Sequence, residues 1–382
     1  MSHSNRTRGV VFVNRFFHPD HSATSQIASD LAFHLASRGW KVAAITSRQR
    51  YDDAGARLDA KDTANGVRII RVWSSRFGRG GLFGRAVDYL TFYASAFFAM
   101  LRERDAVIVA MTDPPLISVF AAVASKRLVN WVQDLFPEVA ESLGIRAPRF
   151  LRWMRDWSLR RARGNVVLGD LMAARVPKAT VIHNWADAGL EPKAEGGRQK
   201  AEGASSFTVG YSGNLGRAHE FATILGAMRA LPDVRFVFTG GGAQLEAVKR
   251  AASANAEFRP YAPRERLSER LSSVDAHLVS LQASLEGLIV PSKFYGVLAV
   301  ARPVIFIGAR DGELARIIGT HRCGVVVEPG DVDGLSRAIA ALAADPGEAA
   351  EMGRRGRALY LTRFAPQHAF AAWERVLEEA AS

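Results

Sequence analysis

The residues best placed to do chemistry share one stretch, Leu285–Pro303, LEGLIVPSKFYGVLAVARP. The carboxylate of Glu286 precedes Gly287 and Leu288, and a Pro-Ser-Lys triplet then opens a helix whose apolar face is Phe294, Val297 and Leu298. Free amides at such a helix start, the Ser292 hydroxyl and the Lys293 ammonium would cradle a diphosphate, and Glu286 would accept hydrogen bonds from sugar hydroxyls. On spacing alone a helix cap beside a solvated lysine reads equally well.

A second candidate is Gly240-Gly241-Gly242, behind a strand and ahead of the helix of Leu245 and Val248. Its glycines allow close backbone approach to a ligand. It matches neither G-x-G-x-x-G nor a Walker loop, so a plain tight turn is the competing reading. His18 and His21 flank Asp20 in the first loop, which closes at Ala23. With neither a third strong ligand nor an Asp-X-Asp pair nearby, His18 and Asp20 read as a polar lining and not as a metal site. Asp113 likewise lacks a partner carboxylate.

Short apolar runs alternating with helical patterns must position these residues, the signature of βαβ units and parallel sheets. Val10–Val13, Lys41–Thr46, Val67–Val72, Ala106–Ala110, Leu128–Val132, Val166–Leu168 and Thr180–Ile182 read as strands of one α/β unit. Between the first two, Ile27, Leu31 and Leu35 mark a helix that Ser22 or Thr24 caps and Gly39 ends. Phe207–Tyr211, Phe236–Thr239, Asp275–Leu281, Pro303–Ile307 and Gly324–Val327 read as the strands of another. The expected organisation is a Rossmann-like domain over 1–190, a linker or mobile loop over 191–206, and a second Rossmann-like domain over 207–350. A helical segment, 351–382, is expected to pack back on the first domain. Two doubly wound domains of this kind bind ligands at the carboxyl ends of their strands and face a central cleft.

Composition narrows the partners. The 382 residues carry a net charge of +12, and residues 1–190 hold 27 Lys/Arg against 16 Asp/Glu where 191–382 hold 23 against 22. The imbalance suits a phosphate-bearing substrate or an anionic membrane surface. Nucleic acid is disfavoured, because no zinc finger, basic zipper or RNA-recognition signature accompanies the charge. Cys323 is the sole cysteine, which excludes an internal disulfide and fits a reducing compartment. The apolar run at the start ends after Val10–Val13, short of a secretory signal, so the expectation is a cytoplasmic protein. Tyr89–Leu101 is too short to span a bilayer, which takes about 20 residues. Arg76, Arg79, Arg85, Arg102 and Arg104 bracket Tyr89, Phe92, Tyr93, Phe97, Phe98 and Leu101, either a basic aromatic face lying on anionic lipid or a buried core helix.

Glu286-Gly287, Pro291-Ser292-Lys293 and Ala301-Arg302-Pro303-Val304 together resemble the donor-binding segment of GT-B glycosyltransferases of family 4. The resemblance is to bacterial enzymes of O-antigen, capsule and colanic-acid assembly, including the fucosamine-transferase-like group. Supporting fragments run in order along the chain: His18-Pro19-Asp20, Trp131–Glu138 (WVQDLFPE), Ile182–Asp187 (IHNWAD), Tyr211–Gly216 (YSGNLG) and Phe238–Gly242 (FTGGG).

The resemblance implies a transferase that uses a nucleotide-diphosphate-sugar, UDP- or GDP-linked, retains anomeric configuration, and needs neither metal nor other cofactor. A lipid-linked or glycan acceptor would bind the first domain, its site lined by His18, Asp20 and Ala23, at the inner face of the cytoplasmic membrane. Gly213, Asn214, Arg217, His219, Gly240, Gly241, Tyr261, Gly287, Leu288, Ser292 and Lys293 would hold the donor. Tyr261 would lie where this fold receives the nucleobase, either stacking or packing. Glu286, Gln133 and Asp134 would stand at the reacting sugar. Asp134 and Glu138 read either as the carboxylates nearest the acceptor, Glu138 lining its site, or as caps of a helix near Phe136-Pro137.

Three departures accompany the resemblance. The ribose-binding glutamate of the family gives way to Phe294, Tyr295 and Gly296. Its Gly-Arg...Lys reads Gly213-Asn214...His219, so Arg217 and Lys293, with His219 if protonated, would supply the cations. Gln133 replaces a histidine. A sugar-nucleotide 2-epimerase of the same fold and a non-catalytic nucleotide-sugar-binding component of a polysaccharide complex are the rival readings.

Overall fold

A computed structural model describes residues 8–51, 53, 55–77, 82–193 and 207–382. Most of the expected linker, and Arg79, lie outside them. The chain divides into two compact units, 1–183 with 369–382, and 184–368. The divisions fall before 190 and beyond 350: residues 351–368 belong to the second unit, and only the final stretch returns to the first.

The first unit has strands β1 (Gly9–Val13), β2 (Lys41–Ser47), β3 (Lys61–Ala64), β4 (Val67–Val72), β5 (Val107–Ala110), β6 (Leu128–Trp131), β7 (Gly164–Val167) and β8 (Ala179–Val181). Its sheet order is β3-β4-β2-β1-β5-β6-β7-β8, parallel except for β3 against β4. The inner strands are continuous apolar runs because helices bury both faces of a parallel sheet; Val10 to Val13 are all at most 1% exposed. The helices are α1 (Ala23–Ser37), α2 (Leu82–Arg102), α3 (Ile117–Ala124), α4 (Glu138–Ser142), α5 (Arg149–Arg161) and α6 (Asp170–Ala173). Ser22 sits at the N-cap of α1, yet neither it nor Thr24 bonds the helix end through its side chain.

The second unit has β9 (Thr208–Ser212), β10 (Arg235–Thr239), β11 (Ala256–Arg259), β12 (Ala276–Ser280), β13 (Val304–Ile307) and β14 (Gly324–Val327), all parallel, in the order β11-β10-β9-β12-β13-β14. Its helices are α7 (Ala222–Ala230), α8 (Leu245–Ala251), α9 (Leu267–Ser272), α10 (Lys293–Ala299), α11 (Glu313–His321), α12 (Val332–Ala344) and α13 (Pro346–Leu359). A last helix, α14 (Pro366–Ala381), follows. From Ala369 on it belongs to the first unit, where Trp373 is fully buried with its ring 4.6 Å from that of Trp131.

Two strands escape the sequence reading. β3, KDTA, has no apolar pattern; it forms through the hairpin turn Asn65-Gly66, both at positive φ, a recognisable hairpin dipeptide. β11, AEFR, is a short edge strand that starts just before the segment assigned to the nucleobase.

α2 divides the basic aromatic stretch between core and surface. Phe92 is fully buried, and Tyr93 and Phe97 pack against the core of the first unit. The exposed stripe is Phe83, Leu90, Phe98 and Leu101, with Arg85 and Arg102 beside it, and α5 exposes Phe150 and Trp153 beside Arg149 and Arg152.

Candidate functional site

In a doubly wound sheet, loops diverge at the carboxyl ends of the two strands where the strand order reverses, and ligands bind there. In the second unit these strands are β9 and β12, and most of the candidate donor residues lie in the loops that leave them.

The loop after β9 is clamped to the loop after β10. Gly213 N donates to the Thr239 carbonyl at 2.8 Å and Leu215 N to that of Gly241 at 2.7 Å; the Gln244 side chain reaches the Gly216 carbonyl at 2.7 Å. Gly213 and Gly240 take φ of +120° and +136°, and a Cβ on Gly240 would fall 2.1 Å from the Gly213 carbonyl oxygen. These glycines are required by close approach, whatever binds them. The exposed Tyr261 ring lies over this turn, 3.2 Å from where a Cβ on Gly241 would be. The loop after β12 joins the same assembly through Gln282, whose amide and side chain donate to the carbonyls of Ala218 and Arg217 at 2.9 and 2.7 Å. Arg217 and Asn214 are exposed, Ser292 is half-buried at the start of α10, and its hydroxyl does not cap the helix.

Lys293 reaches into this assembly. Its Nζ donates to Tyr211 Oη at 2.7 Å, the Asn214 carbonyl at 3.1 Å and His219 Nε2 at 2.9 Å. Burial lowers its pKa to about 7. His219 Nδ1 donates to the Ser280 carbonyl at 2.6 Å, and burial, with the Lys293 charge, holds the imidazole pKa at about 3. His219 is therefore a neutral acceptor and, unprotonated, adds no positive charge beside Lys293. Tyr211, fully buried at the end of β9, is a member of the cluster that sequence reasoning missed. An aromatic hydroxyl at the end of the unit's first strand was the available signal.

Glu286 follows a short 3-10 turn, Ala283–Leu285. Its Oε1 accepts the Glu313 amide at the start of α11 at 2.8 Å, and its Oε2 is buried without a hydrogen-bond partner. Burial raises its pKa, opposed by the amides of Glu313 and Gly287. Gly287 turns at φ +72°, but Leu288 is buried with its amide already given to the Leu285 carbonyl, which removes it as a free donor for a ligand. An open groove of about 760 Å³ beside this segment is lined by Ala283, Ala309, Arg310, Asp311, Glu328, Pro329 and Asp331.

In the first unit the order reverses between β1 and β5, and the Arg15 amide donates to the Asp113 carbonyl across those loops at 2.6 Å. Asp134, after β6, has its pKa pushed up to about 6 by burial and by the Asp113 charge, and Gln133 beside it is buried. Asp134 lines a small cavity of about 30 Å³ together with Trp131, Asn130 and Arg155.

Two expected acceptor residues are engaged otherwise. Asp20 is buried, its two oxygens accepting the amides of Ser22 at 2.7 Å and Tyr51 at 2.6 Å, so it pins loops together. Glu138 is held by Arg155 through two hydrogen bonds, 2.7 and 3.1 Å, which engage both oxygens of its carboxylate. The His18 ring packs edge-on against Phe33, and Ala23 is exposed at the start of α1. No group of three or more His, Cys, Asp or Glu side chains suited to a metal occurs among the described residues.

Residues 23–185 match the glycosyl transferase 4-like domain family, and residues 195–359 match the glycosyl transferases group 1 family. A probable glycosyltransferase of Pseudomonas aeruginosa, WbjE, is 29% identical over 67% of this chain and 70% of its own length. The putative colanic acid biosynthesis glycosyl transferase WcaI of Escherichia coli is 29% identical over 34% of this chain and 33% of its own. The crystal structure of Anabaena Alr3699/HepE in complex with UDP-glucose superposes with a TM-score of 0.71 at 16% identity, covering 97% of this chain and 99% of that one. With consecutive domain matches spanning most of its length and two doubly wound units in its fold, the chain belongs to the GT-B glycosyltransferases of family 4.

Proposed function

We propose that this glycosyltransferase moves a sugar from a UDP- or GDP-linked donor, held by the second unit, to a lipid-linked or glycan acceptor held by the first, in the assembly of a bacterial surface polysaccharide. The observation that carries the donor assignment is the Lys293 ammonium beside the Gly213 and Gly240 turns at the strand-order reversal of the second unit. A UDP-glucose complex of a protein of the same fold, and the colanic-acid role in the name of one relative, support the reading.

In the transfer the bond from the anomeric carbon to the β-phosphate oxygen breaks and a bond to the acceptor oxygen forms on the same face of the sugar. Charge developing on the departing diphosphate meets Lys293, with exposed Arg217 nearby in the loop after β9, so no metal is needed to stabilise it. The free Oε2 of Glu286 accepts a donor-sugar hydroxyl. Gln133 contacts the sugar without acting as a base, since an amide does not take up a proton at neutral pH. Asp134, as carboxylate, receives the acceptor proton. The exposed apolar residues of α2 and α5, flanked by arginines, suit an anionic bilayer surface and keep the enzyme at a lipid-linked acceptor. No helix is long and apolar enough to cross a membrane among the described residues.

Thermal unfolding with a panel of UDP-, GDP- and dTDP-sugars tests the donor assignment. Stabilisation by one nucleotide series, lost in Lys293→Ala, is expected; indifference of the folded protein to every nucleotide would overturn it.

A further inference from the structure

Lys293 leaves the first turn of α10 and meets a ring of acceptors from β9 and the loop behind it. All three ammonium protons are committed, to Tyr211 Oη, His219 Nε2 and the Asn214 carbonyl, and the ammonium also lies 4.6 Å from the centre of the Tyr211 ring. The Tyr211 hydroxyl in turn donates to the Asn214 carbonyl at 3.1 Å. His219 has a fixed tautomer: a carbonyl can only accept, so Nδ1 carries the proton toward Ser280 and Nε2 presents a lone pair to Lys293. A doubly protonated His219 would drive an N–H against the ammonium.

Among the described residues the ring is therefore a hydroxyl, a carbonyl and a neutral imidazole, with no carboxylate. The titratable groups that face it are Tyr211 on β9, His219 in the loop after β9, and the Tyr261 phenol from the loop after β11, which bears on Tyr211. Dipoles orient an ammonium without neutralising it, and burial makes its charge costly. An anion reaching half-buried Lys293 would supply the missing countercharge.

We infer that Tyr211 and neutral His219 are positioning residues that hold Lys293 for an incoming nucleotide diphosphate, and that the diphosphate binds together with a proton taken up by Lys293. This rests on the donor assignment above. Binding raises the lysine pKa, so affinity is full below about pH 7, the free-state value, and falls as pH rises above it by up to about tenfold per unit. Nucleotide release is then accompanied by return of the proton to solvent.

Isothermal titration calorimetry with UDP and GDP, in buffers of different ionisation enthalpy, tests this above about pH 7.5, where the ligand's own phosphate, of pKa about 6, is already ionised. The wild type is expected to take up part of a proton on binding and to weaken with rising pH. Lys293→Arg, which stays charged, should bind with neither effect. His219→Gln keeps an acceptor for Lys293 and should bind within about threefold of wild type, whereas His219→Ala should lose about tenfold in affinity, the scale of one charge-assisted hydrogen bond. Wild-type binding with no proton uptake and no pH dependence would overturn this inference while leaving the donor assignment standing. Failure of folded wild type to bind either nucleotide would overturn both.

Discussion

The amide of Glu313, the first residue of α11, donates to Oε1 of Glu286 at 2.8 Å, while Oε2 of the same carboxylate is buried with nothing to accept from. One oxygen caps a helix and the other waits for a donor. The two roles separate by substitution: Glu286→Gln keeps a carbonyl oxygen for the Glu313 amide but turns an NH₂ group toward any sugar hydroxyl. We expect the Gln variant to melt close to wild type and to lose about 10²-fold or more in the rate of sugar transfer. Full activity in that variant would reduce Glu286 to a helix cap.

The clamp between the β9 and β10 loops depends on Gly240, whose φ of +136° and 2.1 Å approach of a hypothetical Cβ to the Gly213 carbonyl leave no room for a side chain. Gly240→Ala should cost about 2 kcal/mol or more in urea unfolding and weaken nucleotide binding. Gly319→Ala, in α11 with nothing within 4 Å of its added methyl, should be neutral or stabilise by up to about 1 kcal/mol.

Trp373 brings α14 into the core of the first unit, where it meets Trp131, and the neighbouring turns add His34 stacked on Phe370 at 4.5 Å and paired with Glu374 at 2.8 Å. Trp373→Ala should destabilise that unit by about 3–5 kcal/mol. Denaturation monitored by tryptophan fluorescence checks it; a loss below 1 kcal/mol, roughly the scale of a surface substitution, would mean the helix is not needed for the fold of that unit.

Asp134 has its pKa raised to about 6 by burial and by Asp113. A base works as the ionised carboxylate, so transfer should fall as pH drops through about 6. Asp113→Asn removes a neighbouring charge and should move that inflection to lower pH. A pH–rate profile that does not respond to Asp113→Asn would contradict the role given to Asp134.

The lipid-facing reading of α2 and α5 predicts that Phe98→Glu combined with Trp153→Glu, at positions 61% and 64% exposed, leaves folding intact and strongly reduces co-sedimentation with anionic phosphatidylglycerol vesicles. Equal sedimentation of variant and wild type would sink it.

Much of the architecture was legible because parallel strands buried on both faces are written as unbroken apolar runs: VVFV in β1, VAAI in β2 and VIFI in β13 all stand out. β3 and β11 were not, since edge strands need no apolar face and are held by a turn or by a neighbour's backbone. The candidate site was legible as residue types, and less so as states. Whether His219 is a cation depends on the carbonyl of Ser280, 61 positions away, and whether Glu138 is free depends on Arg155 in the next helix. Asp20 shows the same limit: its buried carboxylate is consumed by an amide at Tyr51 that no local pattern announces. On α2, an apolar residue at every turn hid which aromatics face the core and which face water.

The central claim is sugar transfer from a nucleotide donor, and following a labelled sugar into a bacterial membrane lipid extract tests it most directly. Incubation of the enzyme with labelled UDP- or GDP-sugars should move label into the lipid fraction, with EDTA making no difference and Glu286→Gln abolishing it. Nucleotide sugars that bind but never give label to any lipid or glycan fraction, in the presence of wild-type enzyme, would contradict the account.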